Sequence, residues 1–413
     1  MIEEAKRYCG AWINSQPSLF PWLEEELDPL TTRLERLVII LDTLGLEAFV
    51  APPPGGRGRV PEDRPEIARA FVAKAVLNLP TTAALIERLH VDRSLRRICG
   101  WERRAQVPSE ATFSRAFAAF AEQRLPERVH EQLVRAGLRD HILGHVARDA
   151  TEIEARETPQ RHPPEAPPPE APEPQRSRPR KDQGRDPKPP TRLERQRQQT
   201  LEAMLAELPT ACDVGTKRNS KGFSETWIGC KLHLDVSDAM VPVAAVLTAA
   251  STHDSQAAIP LMRLSQQRVV WLYDVMDSAC DAELLVAESL AAGRVPIIDF
   301  NTRRDTALKV ELAAERARRR LVNIPDPDDE HSKARTTAER ANGRLKDEFG
   351  GRHLRVRGPV KAFCQLMFGV AVLAADSLLR LFSTKSQFQI AQICFGGRQW
   401  HLSADFCKRL FRA

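Results

Sequence analysis

Arg335, Glu339, Asn342 and Lys346 follow one another at steps of four, three and four residues. Residues three and four apart are neighbours on a helix, so this spacing puts all four on one face. A carboxylate then sits between a guanidinium one turn before it and an ammonium two turns after it. Such a face suits a divalent metal held by the acid and a phosphate backbone drawn to the bases. In isolation, Arg-x3-Glu-x6-Lys would be read as a solvated helix with ordinary charge pairs. Further acids upstream give it more weight. Val269–Tyr273 is a short β-branched and aromatic run of strand type, and it leads into Asp274-Val-Met-Asp277-Ser-Ala-Cys280-Asp281. An acid just past the end of a buried strand can meet acids from neighbouring elements. Asp274, Asp277 and Asp281 are the choices there, and each also has a turn or helix-cap reading. Farther upstream, His145-Val-Ala-Arg-Asp149-Ala-Thr-Glu152-Ile-Glu154 offers Asp149, Glu152 and Glu154, though its periodicity is weak.

The run from Arg335 to Lys346 resembles the R-x3-E-x6-K part of the signature of DDE transposases from bacterial insertion sequences, of the insertion-sequence-4-like kind. The text after it, Lys346-Asp-Glu-Phe-Gly-Gly-Arg-His-Leu-Arg-Val-Arg-Gly358, is also similar. The family signature has a Tyr three residues before the Arg, where this chain has Ser332. Asp277-Ser-Ala-Cys280-Asp281 matches the family's strand-then-D-x-G-Y-D frame, with Cys280 in place of Tyr. The phrase Arg148-Asp149-Ala-Thr-Glu-Ile-Glu154 resembles its first-acid segment. The resemblance therefore implies Asp149, Asp277 and Glu339 as catalytic acids and ligands of Mg2+ (or Mn2+). Arg335, Arg340 and Lys346 become the expected contacts to DNA phosphates.

Three acids suit phosphodiester chemistry. Two Mg2+ ions about 4 Å apart clamp the phosphate and activate the attacking oxygen, and Mg2+ keeps several waters, so a few carboxylates suffice. The implied activity is cleavage at the ends of a mobile element and transfer of the 3′-hydroxyl to target DNA. The implied partners are double-stranded DNA, as terminal inverted repeats and target, and a second copy of the chain in the DNA complex. A related nuclease that does not join strands, and a catalytically inactive DNA-binding relic, are the alternatives.

Composition agrees. The chain has 413 residues, a net charge of +6 and a pI near 8.9, which favour a polyanionic partner. Eight cysteines are scattered without a C-x2-C pair, so neither a zinc ribbon nor a disulfide framework is expected. They read as reduced thiols of a cytosolic protein, and the resemblance implies a cytoplasmic, nucleoid-associated place in a bacterium. The start lacks a signal-peptide apolar core, and the longest apolar run, Leu366–Ala375, is about half the ~20 residues of a membrane span. No membrane association is expected.

The positioning elements follow. The expected fold class is α/β, a ribonuclease H-like mixed sheet flanked by helices and preceded by an all-α N-terminal domain. Residues 1–143 read as helices, with amphipathic stretches at Leu30–Leu46, Pro65–Leu77, Pro80–Leu89 and Pro108–Ala121. This resembles the family's N-terminal domain, for DNA binding or dimerisation. A helix-turn-helix bearing Thr112, Ser114 and Arg115 would suit a major groove, with the basic cluster Arg93, Arg96, Arg97, Arg103 and Arg104 beside it. Residues 144–154 and 212–382 form the expected catalytic domain. Between them, 155–211 is rich in proline and charge: residues 155–200 hold 12 of the 30 prolines, and disorder is expected there. Strands are expected at Glu225–Val236, Val241–Thr248, Val269–Tyr273 and Val295–Phe300, helices at Gln256–Leu264 and up to Ala292, and an apolar helix at Phe363–Leu381. Residues 383–413 read as a C-terminal extension.

Overall fold

A computed structural model describes residues 30–50, 64–139, 141–159, 189–218, 222–299, 301, 305–321, 327–385, 393–395 and 398–400. Helix α1 (Thr32–Leu44) starts at Thr31, whose hydroxyl accepts from Leu34 N, and stops at Gly45, which takes the left-handed backbone a side chain disfavours. Then come α2 (Arg64–Val76), α3 (Thr82–Val91), α4 (Arg93–Cys99), α5 (Glu110–Glu122) and α6 (Leu125–Leu138). Thr81 caps α3 and Asp92 caps α4, each accepting from a backbone amide in the first turn. Ser109 stands at the N-cap of α5, but its hydroxyl meets Thr112 Oγ1 instead of a backbone amide.

Strand β1 (Ile142–Ala155) leads into the sheet, followed by α7 (Arg192–Gln198), α8 (Leu201–Glu207), β2 (Asp213–Arg218), β3 (Ser224–Ser237), β4 (Pro242–Ala249), α9 (Ser255–Gln266) and β5 (Val270–Met276). After these lie α10 (Glu283–Ala291), β6 (Val295–Ile298), α11 (Thr306–Leu321), α12 (Pro327–Glu348), β7 (His353–Leu354) and α13 (Pro359–Lys385). Seven strands form one mixed sheet with the path β2-β3-β1-β5-β6; β4 pairs the second half of β3, and β7 pairs the end of β1. β1 runs antiparallel to β3 and parallel to β5, and β6 is parallel to β5. Helix α12 lies against β1, β3 and β5, while α9 covers β3 and β4. This is the expected mixed sheet with helices after a helical N-terminal region.

Helix α13 carries a 24-residue stretch apolar enough to cross a bilayer by length and composition, yet 83% of its most apolar window is buried within the protein. It is the central core helix. Helices α1, α2, α5 and α6 wrap it on one side and β4 and α12 close the other. The N-terminal helices and the sheet therefore share one apolar core, running from Leu37 and Phe71 to Leu234 and Val372.

Three elements differ from the expectation. The far end of 155–211 is ordered rather than disordered, while residues 160–188 lie outside the described residues. Thr191 and Glu194 form a capping box at the start of α7, and Thr200 caps α8. Gln196 is fully buried and donates to Gln256 O at 2.8 Å, and Met204 packs with Ala258, Ile259 and Met276. Burying one such Met stabilises by roughly 1.5–3 kcal/mol, enough to anchor a polar segment locally. Strand β2 was not expected; it pairs with the first half of β3, and the Trp227 ring lies over Gly215, where a Cβ would come within 2.3 Å of it. β5 runs three residues past Tyr273, because Asp274 is a buried, ion-paired strand residue and not a turn acid. Of the C-terminal extension, a short strand pair, β8 (Ile393–Phe395) with β9 (Arg398–Trp400), is described.

Candidate active site

The sheet register brings the first two acids together. β1 and β5 pair His145 with Tyr273 and Ala147 with Val275. Carried two residues on, that parallel register sets Asp149 beside Asp277, across a strand spacing of about 4.8 Å. β5 and β6 pair Met276 with Ile298, so one step further Asp277 stands beside Asp299. Three acids thus form a row over three parallel strands. Glu339, half exposed on α12, faces this row. Asp149's carboxyl is pushed up to about 6, by burial first and also by the charges of Asp277 and Glu339, while bonds from Asn342 and the Ala150 amide oppose the rise.

Asn342 donates from Nδ2 to Asp149 Oδ2 at 2.9 Å and so ties α12 to β1. Asp277 opens a short helical turn at Ser278–Cys280, and its Oδ1 accepts from Ala279 N at 3.1 Å. Burial and the nearby Asp254 raise the Asp277 carboxyl, and Arg335 and the Cys280 thiol hold it down. Asp277 is thus both a cap and a member of the acid row. Asp254 is paired with Lys231 at 3.0 Å.

The competing acids are occupied elsewhere. Asp274 is fully buried; it accepts from Trp271 Nε1 at 2.9 Å and pairs with Arg294 at 3.2 Å. Asp281 accepts from the Asn301 amide at 3.0 Å. Glu154 pairs with His353 at the β1–β7 end. Glu152 lies between Lys217 at 2.9 Å and Lys346 at 3.1 Å. Burial opposes it, but those two ammonium groups and its own amide hold its carboxyl down at about 2.

The expected phosphate contacts are placed as follows. Arg335 donates to Asp299 Oδ2 at 2.9 Å and reaches Glu339 at 3.4 Å. Lys346 is engaged by Glu152, and Arg340, the residue next to Glu339 in the chain, is exposed. Ser332 lies within α12, and its side chain is outside the described residues. In the N-terminal helices Ser114 and Arg115 are exposed on α5, with Arg115 donating to Thr112. Arg96 is not available to a ligand as expected: it is buried and donates to Leu89 O at 3.0 Å, holding α4 to α3. His253 bonds Ser255 Oγ at 2.8 Å, a local turn contact.

Beneath the acid row runs a buried charge network. Arg148 makes two bonds of 2.8 Å to Asp235, and Ser265 donates to Asp235 at 2.6 Å. Arg294 stacks 3.9 Å over the Trp271 ring while pairing with Asp274. Burial would discharge Arg148, but Asp235 and Asp274 more than offset it.

A family described as "Transposase DDE domain" matches residues 143–374, from the start of β1 to the middle of α13. The chain belongs to this DDE transposase-domain family. A second family, described as "Transposase domain (DUF772)", matches residues 23–119, which include α1 to most of α5. No curated protein and no solved structure matches the chain. The DDE transposase match takes in Asp149, Asp277, Glu339 and the α12 face as a whole. Two residues of the site had not been picked out as such. Asp299 fell within the strand expected at Val295–Phe300, which ends instead at Ile298, and so was not set apart as Asp277 was. The contact of Asn342 with Asp149 joins positions far apart in sequence and needed the packing of α12 on the sheet.

Proposed function

We propose that this DDE transposase cleaves a phosphodiester at the ends of its element and joins the freed 3′-hydroxyl to target DNA, with Asp149, Asp277 and Glu339 as its catalytic acids. The observation that carries the reading is the charge imbalance at the row. Among the described residues, Asp299 and Glu339 pair with the Arg335 guanidinium, which also lowers Asp277, while Asp149 is held by Asn342 and has no cation partner. A carboxyl raised to about 6 by burial and by two other acids gains from a divalent cation. Carboxylate oxygens are the donors Mg2+ or Mn2+ prefers. Among the described residues no three His, Cys, Asp or Glu side chains meet closely enough to ligate one ion. Pairs of acids would therefore supply one or two oxygens each, leaving room for water and phosphate. The metal, when bound, stabilises charge on the attacking and leaving oxygens.

The chain's own residues do the rest. Asn342 fixes the Asp149 carboxylate relative to α12. Arg335 and Arg340 flank Glu339 and would meet phosphate oxygens on either side of the scissile bond. Lys346 would exchange Glu152 for a DNA phosphate, since it is already aimed at an oxyanion. We place end recognition in residues 1–143, with α5 offering Ser114 and Arg115, and catalysis in 144–154 and 212–382. The insertion-sequence-4-like kind is proposed on Arg335, Glu339 and Lys346. A homodimer acting on cytoplasmic DNA completes the proposal. The exposed apolar residues Ile142, Val270, Leu272 and Val295 at one end of the sheet support a second copy.

The test uses the purified full chain, a labelled element end and Mg2+. Joined products support the proposal. Nicks without joining assign a nuclease, and a shifted but intact duplex assigns an inactive DNA-binding protein. Glu339→Gln should abolish chemistry and spare binding; retained cleavage would remove Glu339 from the site.

A further inference from the structure

Asp254 stands where helix α9 begins, and an aspartate there ordinarily accepts from an amide of the first turn. This one does not. Its backbone is already helical (φ −62°, ψ −35°), whereas a capping residue is extended. The first amides find other acceptors. Ser255 N donates to His253 Nδ1 at 3.4 Å, Gln256 N to His253 O at 3.0 Å and Ala257 N to Asp254 O at 3.1 Å. The carboxylate is left for Lys231, whose ammonium donates to Asp254 Oδ1 at 3.0 Å and to Thr252 O at 2.9 Å.

The pair lies beside the acid row. Lys231 stands opposite Glu152 in the β1–β3 register, and alternation along β3 puts it on the same face as Asp235. That is the face α9 covers, with Ser265 on Asp235; α12 holds Asp149 from the other through Asn342. Asp277 lies one residue past the end of β5, and the turn it opens packs on α9, where Met276 and Cys280 meet Ala258 and Ile259. Asp254 thus approaches Asp277 from the side opposite α12. After burial, its charge is the largest cause of the rise in the Asp277 carboxyl, and it raises the neighbouring Cys280 thiol as well.

Resting on the transposase reading, we propose that Asp254 is a positioning residue for the divalent metal: without ligating it, Asp254 strengthens the hold of Asp277 on Mg2+ or Mn2+, and Lys231 sets how far. Among the described residues no three acids meet closely enough to ligate one ion, so Asp254 adds charge and not a metal bond. Charges a few ångströms apart near a protein surface interact appreciably, and a divalent ion doubles the energy. Salt screens them little within about 10 Å. The lost cap bond and the crowding of two acids are costs a metal-binding row recovers. A pair that only tied α9 to β3 would do so as well with its carboxylate far from Asp277.

The probe is Mn2+, titrated into the full chain without DNA and followed by electron paramagnetic resonance, with a melting curve for every variant. Asp277→Asn, which removes a proposed ligand, should raise Kd about a hundredfold or more. Asp254→Asn should raise it about tenfold, because Lys231 is left unopposed. Asp254→Ser, which can cap α9 without the charge, should do the same. Lys231→Gln should lower Kd about threefold, because Asp254 is left unopposed. The double variant Asp254→Asn with Lys231→Gln should fall within about twofold of the unmutated chain. If Lys231→Gln melts below the assay temperature, Lys231→Met takes its place. A purely structural tie predicts one sign for both halves, since losing either loosens the same loop. Shifts of one sign, or none, would overturn the proposal. So would a loss for Asp254→Asn as large as for Asp277→Asn, which would make Asp254 a ligand, or an unmutated chain that takes up no Mn2+. The transposase reading is judged separately, by cleavage of an element end by the unmutated chain. Opposite shifts without cleavage keep the role of Asp254 and remove the chemistry; cleavage with shifts of one sign removes only that role.

Discussion

Arg148 and Asp149 are neighbours on β1, and their side chains leave the strand on opposite faces, as successive strand residues do. Each enters a cluster of charges, and the clusters differ in balance. On the Arg148 side two guanidinium groups, of Arg148 and Arg294, face two carboxylates, of Asp235 and Asp274, with a hydroxyl and an indole N–H completing the set. On the Asp149 side several carboxylates share Arg335. Burial is deeper on the balanced side. Acidic residues in an interior therefore do not mark a catalytic site by themselves; among the described residues the two clusters are told apart by how many cations they hold. The balanced cluster fixes β1, β3 and β5 to one another, and the unbalanced one uses that rigidity to keep like charges close.

The largest effects should come from removing members of the unbalanced side. Asp149→Asn, Asp277→Asn and Glu339→Gln should each lower Mg2+-dependent cleavage by a factor of about 10³ or more, with affinity for the same DNA held within threefold. A variant that retains a tenth of the activity would show that its acid is dispensable. On the balanced side, Arg148→Met should destabilise the protein by roughly 3–5 kcal/mol in urea unfolding, because it leaves Asp235 buried without a cation while Asp274 keeps Arg294. Pairing it with Asp235→Leu should restore much of that loss. No destabilisation would mean the network is not balanced as described.

The next effect has the opposite sign. Asp149's folded carboxyl titrates near 6 against an ordinary value of 3.8, so its ionised form is disfavoured by the fold. The penalty is complete above about pH 6 and absent below the unfolded value. Asp149→Asn should therefore raise stability in metal-free buffer at pH 7.5, by about 1–2 kcal/mol once partial solvent screening is allowed for, and have no such effect near pH 3.5. Mg2+ should raise the melting temperature of the unmutated chain and leave that of Asp149→Asn nearly unmoved. The smallest effect belongs to Glu152→Gln. It frees Lys346, leaves Lys217 to Glu225, costs no more than about 0.5 kcal/mol, as partly exposed pairs do, and should tighten duplex binding two- to threefold with a steeper salt dependence.

The α12 face was legible in the sequence because helical neighbours sit at fixed small steps, so Arg335, Glu339 and Lys346 need no tertiary information to be grouped. The strands at 225–236, 241–248 and 269–273 were legible from their apolar runs. Asp274 was not, since an acid at the end of such a run reads as a turn until its partners are known. Those partners, Arg148 and Arg294, come from another strand and from the residue before β6. Arg148 and Asp235 stand 87 positions apart, and only the β1–β3 register joins them. Helix α8 was hidden by its surroundings, and α7, although Arg192–Gln199 is helix-compatible in sequence, lay within a segment expected to be disordered. A proline-rich composition set the expectation for the whole of 155–211, while single buried side chains such as Gln196 and Met204 anchor its end.

The order in which the elements leave the ribosome follows from the place of α13. Helices α1 to α6 are made first and leave open the groove that α13 later fills, and the sheet is translated in between. At about 5–20 residues per second, the stretch from Leu138 to Pro359 takes roughly ten to forty seconds. Throughout that interval the earliest helices present bare apolar surface. A chain interrupted before Pro359 would keep its major-groove candidate helix but not the support beneath it, making such fragments clients for chaperones and proteases.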